Sequence, residues 1–120
     1  MFNFLKEIPQ TYTWPVELMV PINGGKRKKI TFEAEFKRKS RTETQKLLSA
    51  ARAVDENGIQ SIEFAPILEE VLIGINAKDE SGKSAPLPDD IKEELLEITG
   101  AEAAIFNAYM SSLSQEKTKN

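Results

Sequence analysis

Gly82-Lys83-Ser84 is the stretch of this chain closest to nucleotide chemistry, because glycine, lysine and a hydroxyl in that order end a phosphate-cradling loop. The same loop needs a glycine five residues earlier, where the chain has Ala77, and amides that converge on phosphate oxygens. Asp79 and Glu80 would instead aim two carboxylates into a polyanion site, and Pro86 and Pro88 interrupt the helix that should follow. The segment therefore reads as a polar turn. The acid pairs Glu69-Glu70, Asp89-Asp90 and Glu93-Glu94 could act as acid and base if burial split their pKa values. Each lies on an amphipathic helical pattern or in its first turn, where carboxylates sit in water and complement the helix dipole. With no cysteine and no histidine, thiol catalysis, thiolate metal sites and the commonest general base are absent. The sequence thus points to a protein that is not an enzyme and takes no cofactor or metal.

The 120 residues fit one domain, and 40% apolar with 29% charged residues is ordinary for a globular protein. No run approaches the roughly 20 apolar residues of a membrane span, and "MFNFLKEIPQ" lacks a basic start and an apolar core, so a cytoplasmic protein without membrane association is expected. Charge is polarised: residues 1–60 carry eleven Lys/Arg against seven Asp/Glu, and residues 61–120 carry five against twelve, within a net charge of −3. Such a split can guide partner binding or head-to-tail association of copies of this chain.

The elements that must position these groups follow from periodicity. Val16, Leu18, Val20 and Ile22 share one parity, and Ile30, Phe32, Ala34 and Phe36 share another, which predicts an antiparallel hairpin. Closing it tightly at Asn23-Gly24 would set Val20 opposite Arg27 and split the apolar faces. Pairing Ile22 with Ile30, Val20 with Phe32, Leu18 with Ala34 and Val16 with Phe36 unites them and leaves "NGGKRKK" as a loop. "SRTE" from Ser40 to Glu43 is a capping box, and Leu47, Leu48, Ala51 and Val54 continue at helical spacing to a stop at Asn57-Gly58. A second helix is expected over 61–73 with Pro66 in its first turns, then an irregular stretch through "DESGK". A third opens near Pro88-Asp89-Asp90 and buries Ile91, Leu95 and Ile98; a fourth opens on the Thr99 to Glu102 capping box and carries Ala104, Ile105, Ala108, Tyr109, Ser112 and Leu113. The expected fold is a single α+β domain, an N-terminal antiparallel β-hairpin (about 14–38) packed on about four α-helices (about 40–114), with a flexible tail at 115–120.

Two surfaces are candidates for partner binding. Lys26, Arg27, Lys28 and Lys29, with Lys37, Arg38, Lys39 and Arg41 nearby, form the basic concentration of the chain. The aromatics near them fall on the apolar parity, so stacking on bases is not favoured and nucleic acid is a weaker partner than an acidic protein surface. On the fourth helix, Phe106 and Met110 form a stripe beside Ile105 and Tyr109; it is either further core or an exposed apolar anchor for another protein.

From Leu68 to Asn120 the chain resembles the tail assembly chaperones of long-tailed bacteriophages. The shared order is Leu72 and Gly74, Asp79-Glu80-Ser81-Gly82, Pro88 with Asp89 and Asp90, Leu95-Leu96, Gly100, Ala108-Tyr109 and a Lys119-Asn120 ending. The hairpin and the "FKRKSRTE" join are similar too, and Ile75 departs from the Trp that many relatives place after the glycine. The resemblance implies a non-catalytic protein of the bacterial host cytoplasm, absent from the finished virion, that coats the tape measure protein and recruits tail tube subunits. Such proteins often accompany a frameshift-extended form. Another small tail morphogenesis protein, a terminator or connector, is the alternative, and a nucleic-acid-binding regulator stands third.

Overall fold

The period-two alternation of the N-terminal third becomes two strands of 12 residues each, β1 (Thr11–Ile22) and β2 (Lys26–Lys37), in the computed structural model, which describes residues 3–114. A short 3-10 turn, Asn3–Glu7, precedes them. The antiparallel pairing and the shared apolar face match expectation, but the register does not: Val16 faces Phe32, Leu18 faces Ile30 and Val20 faces Lys28. The closure is the three-residue turn Asn23–Gly25, with Gly24 and Gly25 at positive φ (81° and 73°), a conformation glycine adopts without a steric penalty. The reason lies upstream. Tyr12 and Trp14 extend the apolar parity of β1, and the observed register pairs them with Phe36 and Ala34, whereas a long basic loop would carry them past the end of β2. Lys26 to Lys29 consequently lie in β2, opposite Ile22, Pro21, Val20 and Met19, rather than in a loop.

Arg38 donates its amide to the Gln10 carbonyl at 2.8 Å. That bond fixes the even-numbered residues of β1 as those whose main-chain groups face β2, and the odd-numbered ones, including Pro15 and Pro21, as those facing away. β1 is an edge strand, since the sheet order is β1, β2, β5 (Leu72–Lys78), β6 (Ser84–Pro86), all antiparallel. β5 pairs with β2 only from Glu33 to Phe36, with a bulge at the Glu35/Phe36 step, so the turn half of the hairpin continues beyond the sheet as a two-stranded ribbon.

α1 (Arg41–Ala50) begins as expected on Ser40, whose hydroxyl oxygen accepts the Glu43 amide at 3.1 Å; the Glu43 carboxylate binds the Ser40 hydroxyl rather than its amide. The helix stops at Ala50 instead of reaching Asn57-Gly58. β3 (Arg52–Val54) and β4 (Gln60–Ile62) form a small separate hairpin there, because the Asp55 carboxylate accepts the amides of Asn57 and Ile59 (2.9 Å each) and holds the turn. α2 is shorter than expected, Phe64–Val71, and the β-branched "LIGINAK" leaves it to pair with β2. α3 (Asp89–Leu96) starts where proline and acids place it, though Ile91 is exposed. α4 (Ala101–Leu113) is not opened by a Thr99 capping box; Gly100 at φ 90° takes the N-cap position with no side-chain cap. The tail expected at 115–120 lies outside the described residues.

One sheet face carries the core. Val16, Leu18, Phe32, Ala34, Phe36 and Ile75 meet Ile67, Leu68 and Val71 of α2 and Ile105, Phe106 and Tyr109 of α4. Phe36 lies between Tyr12 and Tyr109, with ring centroids 5.9 and 5.1 Å away. The other face is polar and solvated, with Ser84 donating to Glu33 at 2.9 Å and Thr11 to Glu35 at 3.2 Å. No helix among the described residues is long and apolar enough to cross a membrane.

Candidate functional site

α4 runs antiparallel to β1 along its length. At one end Gly100 sits over Leu18, where an added Cβ would lie 3.9 Å from Cδ1; at the other the Tyr12 and Ser112 hydroxyls are hydrogen bonded at 2.7 Å. Ser112 also donates to the Tyr109 carbonyl at 2.6 Å. The side of α4 turned toward the free edge of β1 carries Gly100, Ala103, Ala104, Asn107 and Ser111, spaced at helical intervals of three and four. Because these side chains are small, the helix and the strand edge do not close on each other. They leave an open groove of about 780 Å³, walled on the strand side by Trp14, Glu17 and Met19.

The Phe106–Met110 stripe is not an exposed anchor. Phe106 is 6% exposed and packs its ring on Phe64 at 4.9 Å, so it belongs to the α2–α4 contact; only Met110, at 37%, reaches solvent. A helix lying between a sheet and a second helix needs two apolar stripes, which explains the width of its apolar face. The structure therefore separates the two candidate surfaces: Phe106 is core, while Lys26, Arg27, Lys28 and Lys29 are exposed on the ribbon. Within the ribbon, Lys29 meets Glu17 at 3.7 Å with both side chains more than half exposed, a pair of little energetic weight.

Gly82 and Lys83 lie in the turn between β5 and β6, and Ser84 opens β6. The Asp79 carboxylate accepts the Ser81 hydroxyl (2.6 Å) and the amides of Ser81 (2.9 Å) and Lys83 (3.1 Å). These bonds, the Ser81 hydroxyl first, hold its carboxyl below the usual aspartate range, and the amides a phosphate would need are turned onto this side chain. Of the acid pairs, Glu70 holds Lys39 at 3.3 Å, and the α3 acids are exposed. Burial pushes the Tyr109 phenol above its ordinary value, partly offset by a hydrogen bond with Thr44. Among the described residues no three His, Cys, Asp or Glu side chains are grouped to hold a metal.

The groove escaped the sequence reading. Its signal, small residues at 100, 103, 104, 107 and 111, was present but overlapped the apolar stripes on the same helix. In comparisons with protein-family models, curated proteins and solved structures, the chain matches none of them.

Proposed function

We propose that this chain is a non-catalytic assembly chaperone of the long-tailed phage type. In this reading it works in the cytoplasm of a bacterial host, is left out of the finished virion, holds the tape measure protein during tail growth and presents it to tail tube subunits. The order of residues from Leu72 to Tyr109 supports the family, and the groove between α4 and the β1 edge supports the mode of action. A trough lined by glycine, alanine and serine lets the backbone of a partner helix approach closely, and its α4 lining from Gly100 to Ser111 runs about three helical turns. Glu17 and Asn107 at the walls add polar contacts that orient such a helix without closing over it, as reversible holding requires.

The test is co-purification with the tape measure protein encoded in the same genome, using wild type and Asn107→Arg. Asn107 is exposed and lines the groove, so the variant should keep its stability within about 0.5 kcal/mol while blocking the trough. Binding by wild type at micromolar concentration and its loss in the variant are expected. Failure of wild type to bind either tape measure or tail tube protein refutes the reading, and full binding by the variant moves the site elsewhere.

A further inference from the structure

β2 has two long edges with different surroundings. Its even-numbered residues turn their main-chain groups to β1, so Arg27, Lys29, Thr31, Glu33 and Glu35 turn theirs the opposite way. β5 covers that side only from Glu33 onward, pairing Asn76 with Glu33 and then leaving for β6. The amides and carbonyls of Arg27, Lys29 and Thr31 consequently have no strand beside them, although β1 holds β2 along its whole length. This open edge runs about 20 Å from Lys26 to Phe32 and, unlike the outer edge of β1 with Pro15 and Pro21, contains no proline. Where β5 parts from β2, a depression of about 410 Å³ opens between Thr31 and Phe32 of one strand and Asn76, Ala77 and Lys78 of the other. Glu33 at its border is already engaged by the Ser84 hydroxyl at 2.9 Å.

The open edge is also strongly cationic. Lys26, Arg27, Lys28 and Lys29 are exposed on it and alternate between the two faces of the ribbon. Glu17, 3.7 Å from Lys29, is the one anion in ion-pair contact with any of them. Lysines along an uncovered strand repel an identical strand and accept one of opposite sign.

We infer that the open edge of β2 takes up an extended acidic segment of another protein, which adds as a strand beside Arg27, Lys29 and Thr31 where β5 has turned away. Each of these three residues offers one N–H and one C=O, the carboxylates of the segment meet the lysines and Arg27, and a side chain at its end enters the depression beside Lys78. A nucleic-acid backbone is the poorer occupant. Phosphates only accept hydrogen bonds and would leave the three carbonyls unpaired, and Tyr12 and Trp14 are packed against the core rather than free to stack on bases. A second copy of this chain lacks the segment: among the described residues its acids lie in helices or their caps, in turns, or on the part of β2 that β5 covers, and Glu17 is the one on an edge strand. The site lies on the opposite edge of the hairpin from the α4 groove, so it is tested apart from any tape measure partner.

Amide hydrogen exchange followed by NMR tests it, with an end-blocked seven-residue peptide that alternates glutamate and valine as the probe. At about 0.1 M salt the peptide should raise protection at Arg27, Lys29 and Thr31 and leave Lys28 and Ile30, already bonded to β1, unchanged. That alternation is the signature of an added strand. The same peptide N-methylated throughout keeps its charge but has no donors, and it should bind about tenfold more weakly or worse, as should a lysine–valine peptide. Raising the salt to about 1 M, which shortens the screening length from roughly 10 to roughly 3 Å, should weaken the glutamate–valine peptide. Thr31→Pro removes an outward N–H without changing charge or the β1 ladder and should also weaken binding about tenfold, with circular dichroism checking the fold; should it unfold, the N-methylated peptide makes the same comparison on wild type. No gain in protection at about 1 mM peptide, an equal gain at odd and even positions, or equal binding of the N-methylated or lysine–valine peptide overturns the inference. Tighter binding of a thymidine oligonucleotide than of the peptide overturns it in favour of nucleic acid, and protection of the three amides that rises with protein concentration alone overturns it in favour of a second copy.

Discussion

Replacing Phe36 with Ala tests the packing that holds the ribbon, the groove and α4 in one frame. The ring is 0% exposed, on the inner strand β2 and flanked by Tyr12 at 5.9 Å and Tyr109 at 5.1 Å. Deleting it removes a buried phenyl and leaves a cavity, which costs about 3–5 kcal/mol, the two tilted ring pairs supplying roughly 0.5–1.5 kcal/mol each of that loss. Against roughly 6–18 kcal/mol for a domain of this size, the change should move the urea midpoint strongly while leaving the m-value intact. The fluorescence of Trp14, the single tryptophan, reports the transition from β1 itself, opposite Ala34. Phe36→Leu should recover most of the loss because it restores apolar volume without the ring pairs. Lys28→Ala, on the same strand but exposed, should change stability by less than about 0.5 kcal/mol. A Phe36→Ala loss below about 1.5 kcal/mol, or one no larger than that of Lys28→Ala, would refute the placement of Phe36 at the centre of the core.

Gly100→Ala should cost about 1–2 kcal/mol by thermal melting, because its φ of 90° is left-handed while the new Cβ would find ordinary space beside Leu18; a neutral result would show that the α3–α4 junction has a different backbone. Asp79 has a lowered folded-state pKa, so the stability it contributes is complete above about pH 4 and is lost as pH falls through the folded value; a fall in amide protection at Ser81 and Lys83, taken relative to the intrinsic exchange rate at each pH and absent from Asp79→Asn, is the readout. Tyr109 has a raised folded-state pKa, so its contribution is complete below about pH 10 and is lost as pH rises through the folded value. Urea titrations at alkaline pH should therefore show a steeper loss for wild type than for Tyr109→Phe.

The mixed α+β class and the long hairpin were legible because period-two alternation is strong over 24 strand residues, and the α1 start was legible in Ser40 and Glu43. The register was not, because parity alone cannot separate pairings that differ by an even shift; Tyr12 and Trp14 decide it by demanding partners. β5 was read as helix end plus irregular chain because "VLIG" continues the apolar pattern of α2, and only the unpaired edge of β2 selects strand there. Asn57-Gly58 signals both a helix stop and a hairpin turn, and the Asp55 carboxylate selects the turn. At the candidate site the basic residues were evident from composition. The exposure of Phe106 was not, since it depends on Phe64, 42 positions away in sequence and 4.9 Å away in space.

The two prolines of β1 bear on how safely this protein can be made in quantity. A long edge strand beside an apolar face is a template on which further chains could add as strands and grow into insoluble fibres. Pro15 and Pro21 sit at outward-facing positions and have no N–H, so between them the edge offers amide donors only at Glu17 and Met19. An incoming strand would find its ladder broken after two rungs in either direction. The edge can thus stay open beside α4 without becoming the seed of an amyloid.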